Sequence, residues 1–118
     1  MSKHNETGVK GEQIAEKYLL ERGHRLLHRN WCHGKKEVDL ITERNDMLVF
    51  TEVKTRSRMD YGFPEEAVNY KKQAYLKTAA EAFLEKNPGY VKIQFDIISI
   101  YIERNTVKQI MHFEDAFY

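Results

Sequence analysis

Two short runs, Lys36-Glu37-Val38-Asp39-Leu40-Ile41 and Leu48-Val49-Phe50-Thr51-Glu52-Val53-Lys54, carry acids inside stretches that otherwise read as buried strands. Between them stands Arg44-Asn45-Asp46-Met47, and Asn-Asp suits a tight turn, so the runs are expected to form an antiparallel hairpin. With Asn45 and Asp46 as the loop, Arg44 faces Met47. Counting back, Asp39 falls opposite Glu52 and Glu37 opposite Lys54, both pairs on one face. The other face carries Val38, Leu40 and Thr42 against Val53, Thr51 and Val49 and is fit to pack on a core. Directly opposed residues have Cβ atoms roughly 4.5–5.5 Å apart, where like charges repel unless something positive lies between them. A divalent cation meets that need. Mg2+ takes carboxylate and carbonyl oxygens and keeps several waters, so two acids on neighbouring strands make a half-shell that a substrate phosphate completes. Lys54 shares the face of Glu52, where an ammonium can orient an attacking water or neutralise charge building on a phosphate. Asp39, Glu52 and Lys54 are thus a working set for metal-assisted phosphodiester hydrolysis. The same residues also fit a solvated sheet face of alternating charge, and a one-residue change of loop would reverse the parity.

The elements around this hairpin follow from periodicity. From about Glu6 to Arg22, Gly11, Ile14, Ala15, Tyr18 and Leu19 form a helical stripe that Gly23 ends as a C-cap. Glu12 stands at the edge of that stripe, where it either approaches the sheet or stays in solvent. Arg25 to Asn30 reads as a short first strand, followed by the hairpin and a charged loop from Thr55 to Phe63. Pro64 is placed to open a second helix, with Glu65 and Glu66 favourable to its dipole, and Pro88-Gly89 stops it after Asn87. Its apolar face is Val68, Tyr75, Leu76, Ala79 and Phe83, and Lys72 falls within that arc, so it must find an anion or reach away to water. Val91 to Ile102 is apolar on both faces apart from Gln94 and Asp96, as in a strand covered by helices. A last strand spans about Val107 to Phe113. The order αβββαββ predicts an α/β fold with a mixed sheet flanked by helices.

At 118 residues the chain is expected to be a single domain over 1–118, large enough for a core without disulfides. The lone Cys32 fits a reducing compartment. No apolar run approaches the roughly 20 residues of a membrane span and no signal peptide is visible, so the expected location is the cytoplasm, with no membrane partner. The formal net charge is only +1. Nucleic-acid binding must therefore rest on local patches.

With this order in hand, the motifs resemble the nuclease superfamily whose signature is Asp…Glu-x-Lys on adjacent strands, the restriction-endonuclease-like fold. More closely, nearly the whole chain resembles the YraN-like family of small proteins related to Holliday-junction resolvases. The resemblance rests on Gly11-Glu12 with Ala15 and Tyr18-Leu19, on Asn30-Trp31, on Glu37-Val38-Asp39-Leu40-Ile41 and on Phe50-Thr51-Glu52-Val53-Lys54-Thr55-Arg56. Tyr61-Gly62, Lys72, Phe95-Asp96 and Asp115-Ala116-Phe117 complete it. It implies that Asp39, Glu52 and Lys54 are a nuclease triad and that Glu12 reaches in from the first helix as a fourth acidic group. The chain departs from the pattern twice. Lys36 stands where glycine usually introduces the acidic strand, and Gln94 where arginine usually precedes Phe95-Asp96, which leaves Asp96 a structural role.

The favoured reading is a metal-dependent nuclease acting on DNA, branched or otherwise structured DNA being one option, in which Asp39, Glu52 and the Val53 carbonyl hold Mg2+ or Mn2+. Arg56 and Arg58, with Lys71 and Lys72, would form a basic rim for the DNA backbone, and Tyr61 lies beside them; a solvated charged loop is the alternative. A non-catalytic nucleic-acid-binding module of the same fold and a protein-interaction adaptor are the competing functions. A homodimer is compatible with the sequence, which leaves the oligomeric state open. His24, His28, Cys32 and His33 lack the paired spacing of a zinc site.

Overall fold

A computed structural model of the chain describes residues 6–57 and 69–117. Its elements are α1 (Glu6–Glu21), β1 (Arg25–His33), β2 (Lys36–Arg44), β3 (Met47–Arg56), α2 (Tyr70–Lys86), β4 (Lys92–Glu103) and β5 (Thr106–Phe117), in the predicted order αβββαββ. The strands lie in one mixed sheet in chain order. β1, β2 and β3 pair antiparallel, β3 and β4 parallel, and β4 and β5 antiparallel. A parallel pair needs a crossover, and α2 lies on it. No helix among the described residues is long and apolar enough to cross a membrane.

The helices cover opposite faces. Ala15 and Leu19 of α1 pack on Leu40, Val53, Ile98, Ile100 and Ile102. Leu76, Ala79, Ala80 and Phe83 of α2 pack on Val38, Ile41, Leu48, Phe50, Phe95 and Ile97. Burial of each large side chain contributes about 1.5–3 kcal/mol. Because β4 is covered on both sides, Phe95 to Ile100 are buried in succession, polar Asp96 and Ser99 included. The beginning of the strand differs from expectation: Val91 is 92% exposed and precedes it.

Local chemistry sets the ends of the elements. α1 closes at Gly23 (φ 91°), whose N–H donates to the Leu20 carbonyl while His24 N–H donates to that of Leu19. This is a left-handed cap that glycine adopts without strain. Asn45 (φ 52°) and Asp46 (φ 66°) both adopt the left-handed region that the tightest hairpin turn requires, and the register then runs Arg44 to Met47 through Leu40 to Thr51 as predicted. α2 begins later than expected. Asn69 is extended (ψ 177°) and its side chain accepts from Lys72 N–H at 2.9 Å, so the helix starts at Tyr70. The anticipated start at Pro64-Glu65-Glu66 and the apolar Val68 lie outside the described residues. Two strands are longer than predicted. β1 continues through Trp31-Cys32-His33 despite the left-handed Asn30 (φ 49°), and β5 continues through Asp115 (φ 53°) to Phe117, which stacks on Phe95 at 5.1 Å.

One helix position fixes the distance between layers. A Cβ on Gly11 would stand 1.9 Å from Thr55 Oγ1 and 3.0 Å from Thr55 Cβ, so α1 meets β3 where only glycine fits. That contact seats the neighbouring Glu12 against the sheet. Gly11→Ala should therefore destabilise the fold by about 1–3 kcal/mol despite the better helix propensity of alanine. Thermal melts of Gly11→Ala, Thr55→Ala and the double variant should show the second substitution restoring part of what the first removes.

Candidate active site

Side-chain alternation breaks in step on two neighbouring strands. On β2, Val38 and Ile41 both face α2, whereas Leu40 faces α1. On β1, His28 and Trp31 both meet Phe83 of α2, whereas Arg29 pairs with Glu16 of α1. The ladder pairs Arg29 with Leu40 and Trp31 with Val38. Asn30 and Asp39 stand between these pairs, and the positive φ of Asn30 is the local cause of the break. The expected grouping of Val38 and Leu40 on one face is therefore incorrect.

The β2–β3 ladder ends at the same place. Its last pair is Leu40 with Thr51, so Asp39 and Glu52 are not a ladder pair, and neither are Glu37 and Lys54. Glu37 pairs instead with Cys32 of β1, and Lys54 with Ser99 of β4. Beyond this fork the Asp39 carboxylate replaces the missing strand, Oδ2 accepting from Val53 N–H at 2.8 Å. A buried N–H must find a partner, and an ionised acceptor makes the bond stronger. Asp39 is thereby held within one residue of Glu52. Val53 N–H is thus taken up by Asp39, a contact separate from the metal-ligand role expected of the Val53 carbonyl.

Glu52 is only 4% exposed. Its side chain faces Lys72 of α2, with Oε1 3.5 Å from Lys72 Nζ and Oε2 3.7 Å from Lys54 Nζ. Lys72 thus finds its anion at the site rather than on a distant rim. Burial pushes the Glu52 carboxyl up to about 7, and the Asp39 charge adds to that, against the smaller opposing pull of Lys72 and Lys54. Among the described residues Glu52 Oε1, Asn30 Oδ1 and Thr55 Oγ1 are buried polar atoms with no hydrogen-bond partner. Such an acidic pair, with its incompletely bonded oxygen, fits a cation.

Glu12 reaches the same end from α1. With Gln13, Asn30, Asp39 and Leu40 it lines a cavity of about 200 Å³ between α1 and the sheet. The acids therefore approach the fork from both layers. Arg56 ends β3, half-buried, and Lys71 is exposed in the first turn of α2. Arg58 and Tyr61 lie outside the described residues.

Three neighbours escaped the sequence reading. Tyr75 lies one helical turn after Lys72, its hydroxyl donating to the His33 carbonyl at 3.4 Å. Burial first, then the charges of Cys32, Glu37 and Glu52, push that hydroxyl up. Trp31 and His33 stack beside it. The Lys72-x-x-Tyr75 spacing was the available signal. Asp96, by contrast, is structural as read: it accepts from Gln94 Nε2 at 2.9 Å and Asp115 N–H at 3.0 Å and pairs with His112 Nε2 at 2.7 Å, tying β5 to β4. His24 is buried against Thr42 Oγ1 at 2.8 Å.

Comparison with known proteins gives the family. The model of the uncharacterised protein family UPF0102 matches residues 11–100. The chain belongs to that family. It is 41% identical to a UPF0102 protein of Flavobacterium psychrophilum over 118 residues, covering 100% of this chain and 98% of the other. A UPF0102 protein of Phocaeicola vulgatus is 42% identical, with 100% and 97% covered. One of Rhodococcus opacus is 41% identical over 111 residues, with 93% and 94% covered. This is the YraN-like family that the motifs resemble. The structure of Pyrococcus furiosus SfsA in complex with Ca2+ is similar over 92% of this chain and 62% of that one, at 16% identity and a TM-score of 0.34, too loosely to carry an argument.

The raised Glu52 pKa has a sign in stability. The folded carboxyl binds its proton more tightly than the unfolded one, whose ordinary value is 4.5, so metal-free protein loses stability as pH rises from there through about 7. The loss should be on the order of a few kcal/mol. Melts in chelator across that range should fall for wild type and flatten for Glu52→Gln. Asp39→Asn keeps an acceptor for Val53 N–H but removes the charge, so it should shift the fall to lower pH. A wild-type profile that rises over this range contradicts the assignment.

Proposed function

We propose that this protein is a metal-dependent endonuclease that hydrolyses DNA phosphodiester bonds, with branched or otherwise structured DNA as its substrate. The observation that carries the reading is the buried Glu52 carboxylate beside Asp39 at the fork, met by Lys54 and Lys72. A purely structural carboxylate so deeply buried would be expected to be bonded at both oxygens. Among the described residues the partners of Glu52 are the long ion pairs to Lys72 and Lys54, at 3.5 and 3.7 Å.

Asp39 and Glu52, with the Val53 carbonyl, would hold Mg2+ or Mn2+. Among the described residues no three His, Cys, Asp or Glu side chains lie close enough to hold a metal by themselves, so waters and a substrate phosphate oxygen would have to complete the shell. When bound, such an ion supplies Lewis acidity toward the phosphate and makes a coordinated water more acidic. The chain's own residues do the positioning. The bond from Val53 N–H holds the Asp39 carboxylate in place, and packing between the layers holds Glu52. Lys54, 37% exposed at its side chain, presents its ammonium toward the opening, where it can orient water or stabilise charge on the phosphate. Lys72 balances Glu52 before substrate arrives, and Glu12 adds an acid from the α1 side. Arg56, at the end of β3, and Lys71, in the first turn of α2, would meet the DNA backbone, and Arg58 and Tyr61, outside the described residues, belong to the same proposed contact set.

The reading predicts cleavage of at least one member of a panel of linear, single-stranded, flap and four-way DNA, dependent on Mg2+ or Mn2+ and abolished by Asp39→Asn. Lys54→Ala should lower single-turnover cleavage about 100-fold or more while affinity changes little, because a group acting in the transition state leaves ground-state binding alone. Lys71→Ala should do the reverse, weakening binding and lowering its salt dependence by about one counterion. Purified protein that binds DNA but cleaves no panel member with either metal would favour the non-catalytic module.

A further inference from the structure

We infer that the strip of rings from the tip of the β1–β2 hairpin to α2 takes unpaired nucleobases, so that the substrate class is DNA with unpaired nucleotides beside the scissile phosphate rather than intact duplex. The catalytic part rests on the nuclease reading above. The binding part stands on separate observations.

The strip exists because alternation breaks at Asn30. Beyond that point Trp31 turns toward α2, where it meets Phe83 edge-on at 5.3 Å and lies parallel to His33 at 6.1 Å. His33 in turn faces Tyr75 of α2 at 6.4 Å, and the Tyr75 hydroxyl bonds to its carbonyl. These three rings are half-buried, unlike Phe83, which is fully in the core. They are anchored on one side and open on the other. Cations flank them: Lys36 Nζ stands 5.4 Å and Lys72 Nζ 5.8 Å from the Tyr75 ring centre, and exposed Lys35 sits in the hairpin turn. Lys72 is also the lysine at Glu52, so the strip begins at the acidic site.

The chemistry of the strip selects its occupant. Bases in a duplex stack on one another and offer only their edges in the grooves. Inside a duplex every base face is covered by its neighbours, so away from the duplex ends an open ring can stack only on a base that has left the helix, and lysines beside it meet the accompanying phosphates. Rings and cations side by side therefore fit an unpaired strand better than either a duplex or an apolar partner.

Trp31 is the chain's one tryptophan, so its emission reports on the strip directly. Titration in chelator, where no metal-dependent cleavage occurs, should show saturable quenching by a short oligothymidylate. An abasic oligomer of equal charge and a blunt duplex should each require at least about tenfold more to quench. His33→Ala, with its melt checked, should weaken oligothymidylate binding about fivefold or more. Equal quenching by the abasic oligomer, tighter binding of the duplex, or no response to any of the three overturns the inference without reference to any variant. With metal present, cleavage of intact duplex as fast as of gapped duplex also overturns it while leaving the nuclease reading in place. Base-dependent quenching with no cleavage of any DNA sustains the strip and removes the nuclease reading.

Discussion

A carboxylate kept out of water beside a second carboxylate is the constraint on which this molecule's arrangement turns. Burying an ion without full compensation costs several kcal/mol. The two lysines at 3.5 and 3.7 Å from Glu52 only partly offset that cost, since burial and Asp39 together still push the carboxyl up to about 7. A fold under selection for stability alone would replace such a group with an apolar residue of similar volume. Under the proposed function a cation would complete the site, and the backbone opens beside the two acids. β2 leaves β3 after Leu40 and Thr51, and Asp39 bridges the gap through Val53 N–H instead of pairing across a ladder.

Each layer contributes to that fork. From one side Gly11 lets α1 come against Thr55, which brings Glu12 to the cavity it shares with Asp39. From the other side Asn69 sets the start of α2, so that Lys72 and Tyr75 stand in its first turns beside Glu52 and the β1–β2 hairpin. The left-handed Asn30 links the two arrangements. It ends regular alternation where Asp39 must leave the ladder, and it turns Trp31 toward α2 beyond that point. Acids and aromatic rings are thus placed by one irregularity.

Much of this was legible in the sequence, for identifiable reasons. The hairpin register followed from Asn45-Asp46, because both positions tolerate the left-handed backbone that the turn demands. The stripe of α1, its Gly23 cap and the doubly covered β4 followed from periodicity. What failed was the extrapolation of strict alternation past Leu40: Asn30 lies on a different strand, and nothing in a two-residue period warns that it breaks the pattern of its neighbour. The described α2 starts at Tyr70 because Asn69 caps it, a signal the sequence reading passed over in favour of Pro64, which lies outside the described residues. Lys72 was recognised as a lysine in need of an anion, but which anion depended on the packing of α2 over β3. Trp31, His33 and Tyr75 come from three separate segments and could be joined only by the folded chain.

The most direct test of the central claim is calorimetric titration of Mn2+ into the metal-free protein near pH 7, repeated in buffers of different ionisation enthalpy. An ion held by Asp39 and by a Glu52 carboxyl that is still partly protonated must displace a proton, so wild type should bind one ion with measurable proton release, and Glu52→Gln should lose both the tight binding and the release. Binding of equal strength in wild type and Glu52→Gln, or binding with no proton release, would contradict it.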